Sequence, residues 1–193
     1  MNLKLNTKYL IETYTLIIGD VGVGKTLLTS KIIKNLIKAG FASKITIIDL
    51  GPKKNSNIGG KLSDFINTSQ LRYLTLKKIY KPRTEGRNKE EVLALVKKNI
   101  KNITPLFEKY REKPTEILVV NDISLYLQGE RVEKLLYYIK PAKTFIGNSY
   151  YGTATFNDKQ SGINQTERYR VKKFIKNMDI VIYITKGEEI EVI

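Results

Sequence analysis

Short apolar runs alternate along the chain with longer segments whose apolar residues recur at helical spacing. The apolar runs predict five main strands, at residues 14–18, 44–49, 117–121, 144–148 and 179–185, and a short extra strand is possible at 72–76. The segments between them predict helices at 25–39, 89–110, 131–139 and 166–177, with Pro105 kinking or dividing the second. This alternation is typical of an α/β domain, here with a mainly parallel five-stranded sheet flanked by helices in three layers.

Length and composition favour a single domain over residues 1–193. The chain is 41% apolar and 27% charged, which is ordinary for a globular protein with a core. It has neither cysteine nor histidine, so disulfides, thiolate metal sites and imidazole chemistry are excluded. Its apolar runs are too short for a membrane span and its N-terminus lacks the layout of a signal peptide, so we expect no membrane association and a cytoplasmic location.

The formal net charge is +15, and lysine supplies far more of it than arginine. A charge of that size favours contact with a polyanion, and nucleic acid is the first candidate. A lysine-rich composition also follows from an AT-rich genome or a hot habitat, so the charge alone leaves the partner open.

One motif directly links the first predicted strand to the first predicted helix. It follows the pattern G-x-x-x-x-G-K-[ST] and consists of Gly19, Asp20, Val21, Gly22, Val23, Gly24, Lys25 and Thr26. Its glycines let successive backbone N–H groups face phosphate oxygens, and the helix dipole adds positive potential. Lys25 would reach the β- and γ-phosphates, and the Thr26 hydroxyl would bind Mg²⁺. We therefore predict that the segment from Gly19 to Leu27 binds ATP and Mg²⁺.

With this motif the chain resembles the P-loop NTPases. Guanine-reading motifs are poor, and the order of elements is similar to the additional-strand ATPases, which include RecA-like and FtsK/HerA-like proteins. The resemblance implies that the P-loop strand lies between the fourth and fifth main strands. It also implies a polar sensor of the γ-phosphate at the end of the fourth strand, where Asn148 stands. A simple turn residue is the alternative for Asn148.

The third strand ends in Asn121-Asp122, where such ATPases usually carry an acidic pair. In one register Asn121 takes the magnesium-binding position and Asp122 polarises the attacking water. In the other register Asp122 is itself the magnesium ligand, with Ser124 nearby. Asp49 ends the second strand and is a further candidate metal ligand, or else a turn residue. Either register makes slow hydrolysis the expectation.

Four segments are candidate partner surfaces. The loop 149–162 carries Tyr150, Tyr151, Phe156 and Lys159, as a single-strand binding surface would, unless its rings pack inward. The helix 166–177 carries a basic run that is either such a surface or a solvated face: Arg168, Arg170, Lys172, Lys173 and Lys176. Arg83 and Arg87 are either ordinary surface arginines or candidate arginine fingers for a neighbouring subunit. The loop 51–62, GPKKNSNIGGKL, could bind an anion.

Three functions fit these features. The leading hypothesis is an ATPase that couples hydrolysis to nucleic-acid handling and assembles into an oligomer. The second is a non-hydrolysing ATP-binding switch that docks on a protein partner, which a disabling Asn121 would favour. The third is a small-molecule or nucleotide kinase whose lid is the segment 81–88, KPRTEGRN.

Overall fold

A seven-stranded sheet forms the centre of the molecule. The computed structural model describes residues 7–52, 60–152 and 156–186, and the backbone of 190–192. The strands run in the order β3-β2-β4-β5-β1-β6-β7. The first six pair in parallel, and β7 pairs antiparallel to β6. Their bounds are β1 Tyr14–Gly19, β2 Ile45–Asp49, β3 Arg72–Thr75, β4 Ile117–Asn121, β5 Thr144–Tyr150, β6 Ile180–Ile184 and β7 Ile190–Val192.

Helices cover both faces of this sheet. They are α1 Lys25–Lys38, α2 Pro82–Glu85, α3 Lys89–Glu112, α4 Ser124–Leu127, α5 Val132–Ile139 and α6 Ile163–Ile175. Alternate residues of the central strands point to opposite faces: Leu16 and Ile18 of β1 pack with α3, α5 and α6, whereas Ile17 packs with α1. Such two-sided burial explains why the strands are continuous apolar runs. The predicted three-layer α/β fold is confirmed.

The position of the P-loop strand is also confirmed, because β1 lies between β5 and β6. The strand count was wrong: six strands are parallel, since Arg72–Thr75 pairs with β2 as the edge strand β3. A seventh, β7, forms within the predicted acidic tail. These two outer strands are short and carry little hydrophobic pattern, which is why the sequence does not predict them firmly.

Pro105 was predicted to kink or divide helix α3, and the division is wrong, because α3 is continuous through the proline. Asn88 begins the helix, and its side chain accepts a 2.9 Å hydrogen bond from the Glu91 N–H. The buried side chains on both sides of the proline include Ile103, Leu106 and Phe107, and their packing holds the helix together. None of the described helices is long and apolar enough to cross a membrane.

Replacing Pro105 with alanine should stabilise the protein, because Pro105 is exposed and its missing N–H leaves the Lys101 carbonyl without its helical partner. We expect a gain of about 1–3 kcal/mol in the free energy of unfolding, measured by urea denaturation. Lys101→Ala, one turn earlier on the same helix, is the control and should change stability by less than about 0.5 kcal/mol. An unchanged or lower stability for Pro105→Ala would contradict this account.

Candidate functional site

The loop between β1 and α1 is shaped by glycines. Gly22 and Gly24 have φ of 79° and 93°, which is left-handed backbone that glycine adopts without strain. Gly19 has no room for a side chain, because a Cβ there would lie 2.3 Å from the carbonyl oxygen of Ile184 in β6. The loop ends at Gly24, which caps α1, so the first N–H groups of a 14-residue helix face the space above the loop. The predicted segment Gly19 to Leu27 thus comprises this loop and the first residues of α1, and Val21 of the loop and Leu27 of the helix are exposed.

The Lys25 ammonium lies inside this turn. Its Nζ donates to the carbonyl oxygens of Gly19, at 3.0 Å, and Asp20. Burial lowers the pKa of Lys25, while the carboxylates of Asp122 and Asp20 oppose that shift. Within the described residues the Lys25 ammonium has two neutral carbonyl partners, so it could hold an anion.

Thr26 connects the loop to the end of β4. Its hydroxyl donates to the Oδ1 of Asn121 at 3.3 Å, and the same oxygen accepts a 2.7 Å bond from Asn148 Nδ2. Asn148 also donates to the Thr29 hydroxyl of α1 at 2.9 Å, and its Oδ1 accepts from the Asp122 N–H at 2.9 Å. The ends of β4 and β5 are therefore joined to α1 through two amide side chains.

Asp49 lies behind Asn121 and is fully buried. Its Oδ1 accepts from Asn121 Nδ2 at 2.7 Å and from the Gly51 N–H at 3.0 Å. Its Oδ2 accepts from the Leu62 N–H at 2.7 Å and from the Tyr73 hydroxyl. Both carboxylate oxygens are thus used by protein donors. Among the described residues no group of three or more acidic side chains could hold a metal ion.

Asp122 has a left-handed backbone with φ of 60°, which is uncommon for a residue other than glycine. Its Oδ1 accepts a 2.7 Å bond from the Ser124 hydroxyl at the start of α4. Burial raises the pKa of Asp122, whereas the Ser124 bond and the nearby Lys25 ammonium oppose the shift. This backbone turn separates the two side chains: Asn121 faces Thr26 and Asp49, and Asp122 lies within electrostatic reach of Lys25.

A buried ion pair that the sequence did not predict lies near Asp122. Glu167 of α6 accepts 2.9 Å and 2.6 Å bonds from Arg83 and Gln128, and burial raises its pKa to about 7. Arg83 also donates to Asn164 at 2.7 Å. A signal existed in the sequence, because Glu167 has the apolar spacing of Ile163 and Val171 on α6. The prediction that Arg83 serves a neighbouring subunit was wrong, since its guanidinium points into its own chain.

The described part of the aromatic loop packs on the protein itself. Tyr150 contacts Phe156 edge-on, with ring centroids 5.3 Å apart, while Arg83 covers Phe156 and Arg168 covers Tyr151. The interpretation of these rings as a free stacking surface is therefore wrong for the described residues, and 153–155 lie outside them.

The basic helix is partly occupied as well. Arg168 and Arg170 donate to the backbone carbonyls of Gly152 and Leu127, and Lys173 pairs with Glu133. Arg87 is exposed and paired with Glu91 at 2.7 Å, so it stays the candidate for reaching another subunit.

Comparisons with known proteins agree on the fold. No family model matches the sequence, and no curated protein matches it. The chain is similar in structure to the VirB11 ATPase of the Brucella suis type IV secretion system, in complex with sulphate, with a TM-score of 0.52 and 11% identity over 97% of this chain and 49% of that one. It is also similar to the flagellar accessory protein FlaH from Methanocaldococcus jannaschii, with a TM-score of 0.49 and 11% identity over 94% and 76% of the two chains. The chain spans about half the length of VirB11, and the two proteins share a fold over that part.

Replacing Asn121 with aspartate should destabilise the protein, although it would restore the usual acidic residue. The new carboxylate would lie within 2.7 Å of Asp49, and both positions are fully buried. We expect a loss on the order of 3 kcal/mol, measured by urea denaturation without nucleotide.

The double variant Asp49→Asn/Asn121→Asp is the matched control. It re-forms an amide–carboxylate pair, so it should be more stable than Asn121→Asp by about 1–3 kcal/mol, although the Gly51 N–H loses an acceptor. Additive effects of the two substitutions would contradict the pairing.

Replacing Glu167 with glutamine should change how stability depends on pH. A carboxyl group whose folded pKa is raised to about 7, from 4.5, stabilises the fold at low pH and loses that contribution as pH rises through 7. The free energy of unfolding of the wild type should therefore fall between pH 4.5 and 7 relative to Glu167→Gln, by on the order of 3 kcal/mol. Glu90→Gln, an exposed site on α3, should keep the wild-type pH profile. Parallel profiles for wild type and Glu167→Gln would contradict the raised pKa.

Proposed function

We propose that this protein binds Mg-ATP and hydrolyses it slowly, with Asn121 in the magnesium-binding position and Asp122 as the base for water. The observation that carries this proposal is the contact between the Thr26 hydroxyl and Asn121 Oδ1. This contact brings together the Thr26 hydroxyl, which would bind Mg²⁺, and the Asn121 amide oxygen, which would hold the metal or one of its water ligands. Bound Mg²⁺ would supply positive charge to the phosphate oxygens.

The loop residues fit a triphosphate. The left-handed glycines and the first turn of α1 present N–H groups, and Lys25 supplies a cation that has only carbonyl partners. When phosphate is present, the Lys25 ammonium would exchange those carbonyls for phosphate oxygens. The lowered pKa of Lys25 is consistent with a buried cation whose charge a bound anion would stabilise.

The contacts of Asn121 and Asp122 favour the first of the two predicted assignments, in which Asn121 takes the magnesium-binding position. Asn121 Oδ1 contacts Thr26, whereas Asp122 bonds to Ser124 and faces the Lys25 charge. We therefore assign Asn121 to the metal and Asp122 to the attacking water. Asp49, predicted as a metal ligand, is better placed as the group that orients Asn121, because its four hydrogen bonds use both oxygens.

Asn148 would act as a positioning residue. Its side chain holds Asn121 Oδ1 and the Asp122 N–H at once, so a change at the γ-phosphate that reached Asn148 would move both. This is consistent with the sensor position that the resemblance implies.

A non-hydrolysing switch is the second candidate, and one observation favours it. Asn121 contributes no charge, and its amide is already saturated by Thr26, Asn148 and Asp49. The kinase hypothesis has less support, because Arg83 in the predicted lid is held by Glu167. Coupling to nucleic acid is proposed on the net charge of +15.

Phosphate release from ATP with Mg²⁺ tests hydrolysis. Asp122→Asn should lower turnover by about 10²–10⁴-fold without weakening nucleotide binding, because it removes a base and keeps the side-chain shape. Lys25→Ala should instead lose nucleotide affinity. The control is Asp179→Asn, an exposed aspartate just before β6, at the amino ends of the strands and away from the glycine loop at their carboxyl ends. Asparagine keeps an oxygen that can accept from the Tyr14 N–H, so this variant should release phosphate at the wild-type rate.

ATP binding without phosphate release in the wild type, with or without DNA, would overturn hydrolysis and leave the switch. Equal turnover in wild type and Asp122→Asn would overturn the role of Asp122.

A further inference from the structure

A cavity of about 140 Å³ lies beyond the carboxyl ends of β2 and β3. Gly51, Pro52 and Ile79 form its uncharged lining, and four lysines complete it: Lys61, Lys77, Lys78 and Lys81. Gly51, Pro52 and Lys61 belong to the loop 51–62 that the sequence marks as an anion-binding candidate. Residues 53–59 of that loop lie outside the described part of the chain.

No carboxylate lines this cavity, and none of its four ammonium groups forms an ion pair within the described residues. Asp64 and Glu85 lie close, but they accept from the backbone N–H groups of Lys61 and Lys81. Four lysine residues line one small space, and an anion bound between their side chains would lower the repulsion among their charges.

The lysines differ in how firmly they are held. Lys61 is fixed, because its Nζ donates to the Thr75 hydroxyl and the Leu76 carbonyl, both at 2.8 Å. Lys77 and Lys78 are exposed, and Lys78 lies 4.5 Å from the centre of the Tyr80 ring. The exposed side chains of Lys77 and Lys78 can therefore contact a ligand that extends beyond the cavity.

This cavity is separate from the phosphate-binding loop. β2 lies three strands from β1 in the sheet, which corresponds to about 14 Å. The two places are nevertheless linked, since Asp49 Oδ1 accepts from both Gly51 of the cavity and Asn121 of the nucleotide site.

We propose that the lysine cavity binds a phosphodiester group of a nucleic acid, as a second anion site beside the one for ATP. Lysine ammonium groups are point charges that contact phosphate without reading bases, so the contact would be independent of sequence. The net charge of +15 favours a polyanion over a small phosphorylated ligand. The inference rests on the proposed nucleic-acid function, but not on nucleotide binding or hydrolysis.

Fluorescence anisotropy of labelled single- and double-stranded oligonucleotides over a range of salt concentrations tests this site. The variant Lys77→Gln/Lys78→Gln/Lys81→Gln removes three cavity charges and keeps Lys61 with its structural bonds. Its matched control, Lys97→Gln/Lys101→Gln/Lys109→Gln, removes three exposed charges from α3. The cavity variant should lose at least tenfold in affinity, and the slope of log K against log salt should fall by roughly 2–3 for duplex DNA. The control should lose less than threefold.

Equal losses in both triple variants would overturn the proposal, because bulk charge alone would then explain binding. The proposal would also be overturned if inorganic phosphate, detected by thermal shift, bound to the wild type and not to the cavity variant while neither protein bound an oligonucleotide. ATP binding is measured for every protein. Lys25→Ala should lose ATP binding and keep oligonucleotide binding, whereas the cavity variant should keep ATP binding and lose oligonucleotide binding. A failure of nucleotide binding is thereby distinguished from a failure of the cavity.

Discussion

The buried hydrogen bond between Asp49 and Asn121 is the contact on which the site depends. It joins the ends of β2 and β4 through a carboxylate and an amide that are both fully buried. A buried carboxylate is stable only when donors satisfy it, and Asn121 is one of its four. From Asn121 the bonds continue to Thr26 and Asn148, so the glycine loop, β4 and β5 are held by one network.

This network gives a physical reason for an amide at the end of β4, where the resemblance drawn from the sequence implies an acid. A carboxylate at position 121 would lie 2.7 Å from that of Asp49, and two carboxylates at this distance could not both be ionised. The amide nitrogen of Asn121 faces Asp49 and its amide oxygen faces Thr26. The bond to Asp49 therefore fixes the direction in which the amide oxygen points. Asp122 is then free to turn away, in a left-handed conformation that the following helix and Ser124 maintain.

Local pattern predicted much of the fold and the place of the glycine loop between β1 and α1. The central strands are buried on both faces and therefore read as apolar runs, and the loop motif needs only neighbouring residues. The contacts between strands could not be predicted in the same way, because Asp49 and Asn121 are 72 positions apart. Asp49 consequently looked like a metal ligand. Arg83 looked like a free surface arginine, since nothing local shows that Glu167 faces it from α6.

A crystal structure with Mg²⁺ and a non-hydrolysable ATP analogue would show directly how Asn121 is used. We expect the Thr26 hydroxyl to bind the metal, Asn121 Oδ1 to face the metal or one of its waters, and Asn121 Nδ2 to keep its bond to Asp49. A structure in which the Asp122 or Asp49 carboxylate binds Mg²⁺ directly, with Asn121 turned away, would contradict this expectation.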